Sequence, residues 1–267
     1  QEKRRGLQVL VLAPTRELAL QSSEHLRALS KYVPVRGTAI FGGVPMGPQI
    51  TALSQGVDII SATPGRLLDH AAQRRINFSS VRTFVLDEAD RMMDMGFLPD
   101  VRRIISLLPS SRQTIVLSAT IPDEIMRLVR QICQDPVTVQ VGEKSRPPEK
   151  IRHTVYPVIH EQKSELLLKI LRGMPDLSSI IVFTRTKQRA DRLADYLARN
   201  EIRTACLHGD RDQQERTQAL EALKSGERQV LVATDLIARG IDIKDLSHVV
   251  NYDPPETPDA YIHRIGR

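Results

Sequence analysis

Short apolar runs alternate with amphipathic stretches along the whole of this 267-residue chain, and no other feature limits its fold as much. Strand-like runs fall at 8–13, 37–41, 57–62, 82–86, 114–117 and 137–141, and again at 179–183, 203–207, 229–233 and 248–252. Helical periodicity occupies 18–29, 100–108, 125–133, 190–198 and 214–223. In the last of these Ala219, Leu220, Ala222 and Leu223 line one side, while Glu215, Arg216, Gln218 and Glu221 lie largely elsewhere. Strands interleaved with helices of this length predict an α/β fold with parallel sheets covered on both faces. The polar stretch Gly142-Glu143-Lys144-Ser145-Arg146-Pro147-Pro148-Glu149-Lys150 lacks apolar periodicity and reads as a linker. Two domains are expected, 1–141 and 151–267, joined by 142–150.

The run Val81-Arg82-Thr83-Phe84-Val85-Leu86 ends in Asp87-Glu88-Ala89-Asp90. Open α/β sheets receive ligands at the carboxyl ends of their strands. Two adjacent carboxylates there suit a nucleotide-hydrolysing site, with Asp87 holding Mg²⁺ beside the phosphates and Glu88 orienting the attacking water. The competing reading is a solvated turn or the acidic first turn of a helix, and the neighbouring motifs decide between the two.

Pro14-Thr15-Arg16-Glu17-Leu18 stands where a strand meets a helix. Thr15 can cap that helix and Glu17 suits its dipole. A cation at a helix N-terminus is disfavoured, and a bound phosphate would give Arg16 a partner. Thr63-Pro64-Gly65-Arg66 repeats the construction after the run at 57–62, and Gly42-Gly43 follows a third strand. One such terminus is a plain cap; several in one domain point to a groove that tracks phosphates. Ser118-Ala119-Thr120 follows the run at 114–117 and offers two hydroxyls that would couple the acidic turn through Asp90.

In the second half, Thr234-Asp235 and Arg239-Gly240-Ile241-Asp242 follow the run at 229–233. Thr234 suits a phosphate contact and Asp242 a ribose hydroxyl. His208-Gly209-Asp210, with Gln213 and Arg216, reads either as turn and cap chemistry or as a second nucleic-acid surface. His263-Arg264-Ile265-Gly266-Arg267 places two guanidinium groups on a helix, either as a solvated face or as fingers onto a γ-phosphate.

Net charge +6 fits a polyanionic partner. Aromatic residues are only 4% of the chain, which argues against a base-stacking platform and for contacts to phosphate and sugar. Hydrophobic residues make up 41%, and no apolar run approaches the ~20 residues of a membrane span. Cys133 and Cys206 stand in no metal-ligand spacing, so neither zinc nor a disulfide is expected, and a reducing cytoplasm is the simplest setting. No dimer seam is visible, so a monomer is expected.

Taken in order, these segments resemble a DEAD-box RNA helicase of superfamily 2, and the resemblance spans essentially the whole chain. Short loops give it the look of a bacterial member. The resemblance implies two tandem RecA-like domains that close on ATP, Mg²⁺ and single-stranded or short duplex RNA, gripping the sugar-phosphate backbone and prying strands apart locally. By the same resemblance Asp87 binds Mg²⁺, Glu88 positions the water, and Asp90 couples to Ser118 and Thr120 beside the nucleotide. Thr15, Arg16, Gly42, Gly43, Thr63, Gly65 and Arg66 line the RNA path in the first domain. Thr234, His208, Gly209, Asp210, Gln213 and Arg216 face it from the second. Asp242 touches the ATP ribose, and Arg264 and Arg267 approach its phosphates.

The family pattern also has a Gly-x-x-x-x-Gly-Lys-Thr loop and a Gln motif ahead of the Pro-Thr-Arg-Glu-Leu segment. Neither occurs in these 267 residues, which read as a fragment expected to hydrolyse ATP barely by itself. Two rival functions remain at this point: a non-catalytic RNA clamp, and a DNA helicase of the same superfamily.

Overall fold

The computed structural model describes residues 6–140, 151–175, 177–235 and 246–266. The chain divides into two compact units, Gln1–Gly142 and Glu143–Arg267.

The first unit is built on five parallel strands: β1 (Val9–Leu12), β2 (Gly37–Ile40), β3 (Ile59–Ala62), β4 (Thr83–Leu86) and β5 (Gln113–Val116). Their order is β2-β3-β1-β4-β5. The register decides where function can lie. Ile40 pairs with Ala62, Ala62 with Leu12, Leu12 with Leu86 and Leu86 with Val116. All five strands therefore end on one row, and the segments after them leave from a single edge of the sheet. Helices α1 (Arg16–Leu29), α2 (Gly47–Ser54), α3 (Pro64–Ala72), α4 (Ala89–Asp94), α5 (Leu98–Ile105) and α6 (Asp123–Ile132) connect or follow them. Leu10, Leu12, Ile60, Phe84 and Leu86 are buried in a core with Leu67, Met92, Ile104, Ile125 and Leu128 from the helices.

The second unit has four parallel strands, β6 (Ile180–Thr184), β7 (Thr204–Leu207), β8 (Val230–Thr234) and β9 (His248–Asn251), in the order β7-β8-β6-β9. Every residue of β6 and β8 is buried, as expected for central strands with helices on both faces. Helices α7 (Lys163–Arg172), α8 (Lys187–Arg199), α9 (Gln213–Lys224) and α10 (Pro258–Ile265) supply the cover. One core joins Ile180, Val182, Val230 and Val232 to Leu167, Leu171, Leu193 and Leu197; another joins Ile181, Phe183, Leu231 and Ala233 to Leu220 and Leu223.

One expected strand is corrected. Residues 137–140 belong to neither sheet, and Val137 and Val139 are 89% and 81% exposed. Alternation of apolar and polar residues is necessary for a half-buried strand, but a strand also needs a neighbour to complete its ladder.

Candidate functional site

The acidic turn leaves β4 near the middle of the first sheet. Asp87 N donates to Leu12 O and Ala89 N to Leu117 O, so the turn is laced to the strands on either side. Glu88 has φ 45°, a left-handed backbone that a non-glycine residue adopts only when its surroundings impose it. Its carboxylate meets Arg91 Nη1 at 3.0 Å, and Arg91 is itself buried. Asp87 Oδ1 accepts from Glu88 N at 3.0 Å. Burial first, then the charge of Glu88, raises the Asp87 carboxyl above the usual carboxylate value. No salt bridge forms at Asp87 among the described residues. A half-buried carboxylate beside a second one is a donor set that fits a divalent cation.

Asp90 is 4% exposed and held on several sides. Its Oδ2 accepts from Thr120 N at 2.9 Å and Thr120 Oγ1 at 2.8 Å, while Oδ1 accepts from Arg91 N. Asp90 N donates to Ser118 Oγ, and Ser118 Oγ donates to Thr120 O. The segment after β5 is thus tied to the turn after β4 through Asp90.

Along the same edge three loops converge. Thr15 caps α1, its Oγ1 accepting from Leu18 N at 3.4 Å. Gly43, at φ 77°, lies against Arg16 so closely that a Cβ there would come within 1.9 Å of Nη1. Arg66 donates through both Nη atoms to Val44 O at 3.1 Å. Thr63 is the N-cap residue of α3, yet its side chain makes no cap bond. Gly65, in the first turn of α3, is exposed with nothing within 4 Å of a built Cβ. Strand register therefore brings Arg16, Gly43, Thr63, Gly65 and Arg66 to one edge of the sheet.

In the second unit His208 is 3% exposed, with Nε2 2.9 Å from Asp191 Oδ1 and Nδ1 accepting from Asp210 N. Arg211 Nη2 also reaches Asp191 Oδ1, at 2.8 Å. Gly209 and Asp210 are exposed, and Lys187 at the start of α8 pairs with Asp210. Asp191 Oδ1, Cys206 Sγ and His208 Nε2 lie within 4.8 Å of one another. That trio is already satisfied as a hydrogen-bonded hub: Nδ1 accepts a backbone N–H, so Nε2 carries the proton it gives Asp191, and Arg211 holds the same oxygen. Burial and then Asp191 push the Cys206 thiol up to about 12.

Residues 1–128 match the DEAD/DEAH box helicase family model, and residues 162–267 match the Helicase conserved C-terminal domain. Yeast (S. cerevisiae) Dbp5, in a structure bound to RNA and ADP BeF3, is 31% identical and superposes with a TM-score of 0.87 over 98% of this chain and 68% of its own.

The chain belongs to the DEAD-box helicase family.

Among curated DEAD-box relatives, "DEAD-box ATP-dependent RNA helicase 30" of Arabidopsis thaliana is 44% identical over 97% of this chain and 44% of its own length. "ATP-dependent RNA helicase dbp2" of Aspergillus clavatus is 44% identical over 97% of this chain and 48% of its length. This chain thus spans about half the length of these relatives. They lend no support to the expectation of a bacterial type. The two RecA-like α/β domains of the fold are shared with the DEAD-box neighbours.

Several residues expected at the DEAD-box site are used elsewhere. Arg264 is 1% exposed, and its guanidinium pairs with both oxygens of Asp235 at 2.6 Å, bonds Asn251 Oδ1 and Asp253 O, and covers the Phe183 ring. It braces its own domain. The Asp90 carboxylate accepts from Arg91 N and from Thr120 N and Oγ1, all within its own unit. The hydroxyl of Thr15 is a helix cap, and the guanidinium of Arg66 holds a loop. His208, Gln213, Arg216 and Thr234 are buried side chains. Asp242 and Arg267 lie outside the described residues.

Other residues carry no sequence signal. Asp253, 2% exposed, accepts from Lys163 Nζ, Arg189 Nη1 and Arg185 N at 2.8–3.1 Å. Burial opposes its charge, but these donors hold its carboxyl below the usual range. Arg185 is left exposed at the carboxyl end of β6, next to Thr186, whose hydroxyl caps α8 by accepting from Arg189 N.

Proposed function

We propose that the protein carrying this chain is an RNA-dependent ATPase that separates or remodels short RNA duplexes. The observation that carries this reading is the row formed by the five strand ends of the first unit. It brings Asp87 and Glu88 level with the loops of Arg16, Gly43 and Thr63. Hydrolytic and backbone-binding groups share one sheet edge, and Asp90 links the turn to Ser118 and Thr120. Asp87 would hold Mg²⁺, which when bound neutralises phosphate charge; Glu88 would orient the water, held meanwhile by Arg91. Arg16, the Gly42-Gly43 turn and the open N-terminus of α3 would contact phosphates, and 2′-hydroxyls would distinguish RNA. Gly209, Asp210 and Arg185 would supply contacts from the second unit. Asp242 on the ribose and Arg267 on the γ-phosphate rest on the family resemblance. A monomer and a reducing, cytoplasmic setting complete the proposal, and the unpaired Cys133 and Cys206 suit the latter. No helix among the described residues is long and apolar enough to cross a membrane.

The test is ATP hydrolysis by the protein that carries this chain, with RNA, with DNA and with neither. RNA stimulation with no response to DNA is the expected result. Equal stimulation by DNA would replace the reading with a DNA translocase, and tight RNA binding without hydrolysis would replace it with a clamp. The 267 residues alone, without the Gly-x-x-x-x-Gly-Lys-Thr loop, are expected to turn over ATP barely.

A further inference from the structure

The Gly42-Gly43 turn has no side chains of its own to anchor it, and glycine loses more freedom than any other residue when it is fixed. Something must hold such a turn if it is to meet a ligand already in shape. Arg66 fixes its far side through Val44 O. The near side is fixed from inside the domain. Gln49, 6% exposed on α2, donates Nε2–H to Phe41 O at 2.9 Å. Its Oε1 lies 3.2 Å from Nε2 of His70, which is fully buried on α3. Because the amide nitrogen of Gln49 is the donor to Phe41, Oε1 must accept, and the His70 proton is therefore on Nε2. His70 Nδ1 has no hydrogen-bond partner. A charged ring would place a second N–H there, facing the charges of Arg66 and Arg75, which outweigh that of Asp69. The ring stays neutral, and one directed chain of bonds runs from α3 through α2 to the carbonyl that begins the Gly-Gly turn.

We propose that Gln49 and His70 are positioning residues for nucleic-acid binding, setting the Gly42-Gly43 turn against Arg16 and tying it to the Thr63-Pro64-Gly65-Arg66 segment at the start of α3. The inference rests on the RNA-path reading above. A pair that served only the core would have no reason to end on the backbone that leads into a glycine turn without side chains of its own. Here the terminal acceptor is Phe41 O, one residue before Gly42.

The test uses the protein that carries this chain and follows RNA-stimulated ATP turnover against RNA concentration. Gln49→Met and His70→Phe keep side-chain bulk and break the chain at each link; His70→Gln keeps an N–H donor at similar reach. Each breaking variant is expected to raise the half-saturating RNA concentration about tenfold, while maximal turnover falls less than twofold. The double variant should be no worse than either single one, because the links act in series, and His70→Gln should return close to the parent. Melting curves on the same samples identify any loss due to unfolding. Unchanged half-saturation, effects that multiply, or a fall in maximal turnover alone would overturn the proposal. Arg16→Ala is the companion control. If it weakens RNA binding while Gln49→Met does not, the positioning role fails and the RNA path stands. If neither variant changes half-saturation, the path itself fails, and the positioning role with it.

Discussion

Burial shifts Asp87 and His70 in opposite directions, and the sign of each effect on stability can be measured. A carboxyl whose folded value is raised favours the native state only at acid pH, and that contribution is lost as pH rises through the folded value. At neutral pH the half-buried Asp87 beside Glu88 therefore costs stability. Asp87→Asn should melt at a higher temperature than the parent at pH 7 and should lose hydrolysis, the trade expected where a functional group is held under strain. A lower melting temperature would contradict this account. His70 behaves oppositely: burial first, then Arg66 and Arg75, hold it below its ordinary 6.5. Its contribution is complete above about pH 6.5 and is lost as pH falls through the lower folded value. Stability should thus decline below that pH in the parent and decline less in His70→Gln, read by denaturant melts across pH. At Gly43 the difficulty is conformational. Gly43→Ala meets both a φ of 77° and the Arg16 guanidinium, and should cost about 1 kcal/mol of stability while displacing Arg16. Gly65→Ala has open space, and its melting temperature should stay near that of the parent.

Among the secondary-structure elements, helix α10 shows how a motif can be legible while the partners of its side chains are not. Two arginines near a helix end look like ligands for phosphate, but Arg264 is enclosed by Asp235, Asn251, Asp253 and Phe183. Arg264→Ala would strand Asp235 and remove the brace between α10 and β9, at a cost of about 3 kcal/mol to the second unit. The measurement is unfolding of that unit, and a normal melting curve with weakened nucleotide binding would return Arg264 to the phosphates. The run at 137–141 failed for a related reason: alternation was legible, but the absence of a pairing partner was not. The Thr15 cap was easier to read, because it acts within three residues of its own position.

For the molecule as a whole, each unit has its own sheet and its own core. Calorimetry should show Arg264→Ala lowering one transition and leaving the other in place; a common shift of both would mean the cores melt together. Alternation of strands and helices was enough to establish parallel α/β layers, and the spelling of Asp87-Glu88-Ala89-Asp90 with Thr63-Pro64-Gly65-Arg66 was enough to point to the family. Both signals are local, since they depend on period and on neighbours along the chain. Local pattern was silent on what a polar side chain faces after packing. Thr234, His208 and Arg216 turned inward, Arg66 turned to Val44, and Gln49 and His70 gained a role that no motif marks. Strand register and helix packing bring together groups as far apart in the chain as Arg264 and Asp235. A buried polar group must satisfy its bonds with whatever partners the fold supplies. Composition and spacing specify that such groups exist, and the three-dimensional arrangement alone assigns their partners.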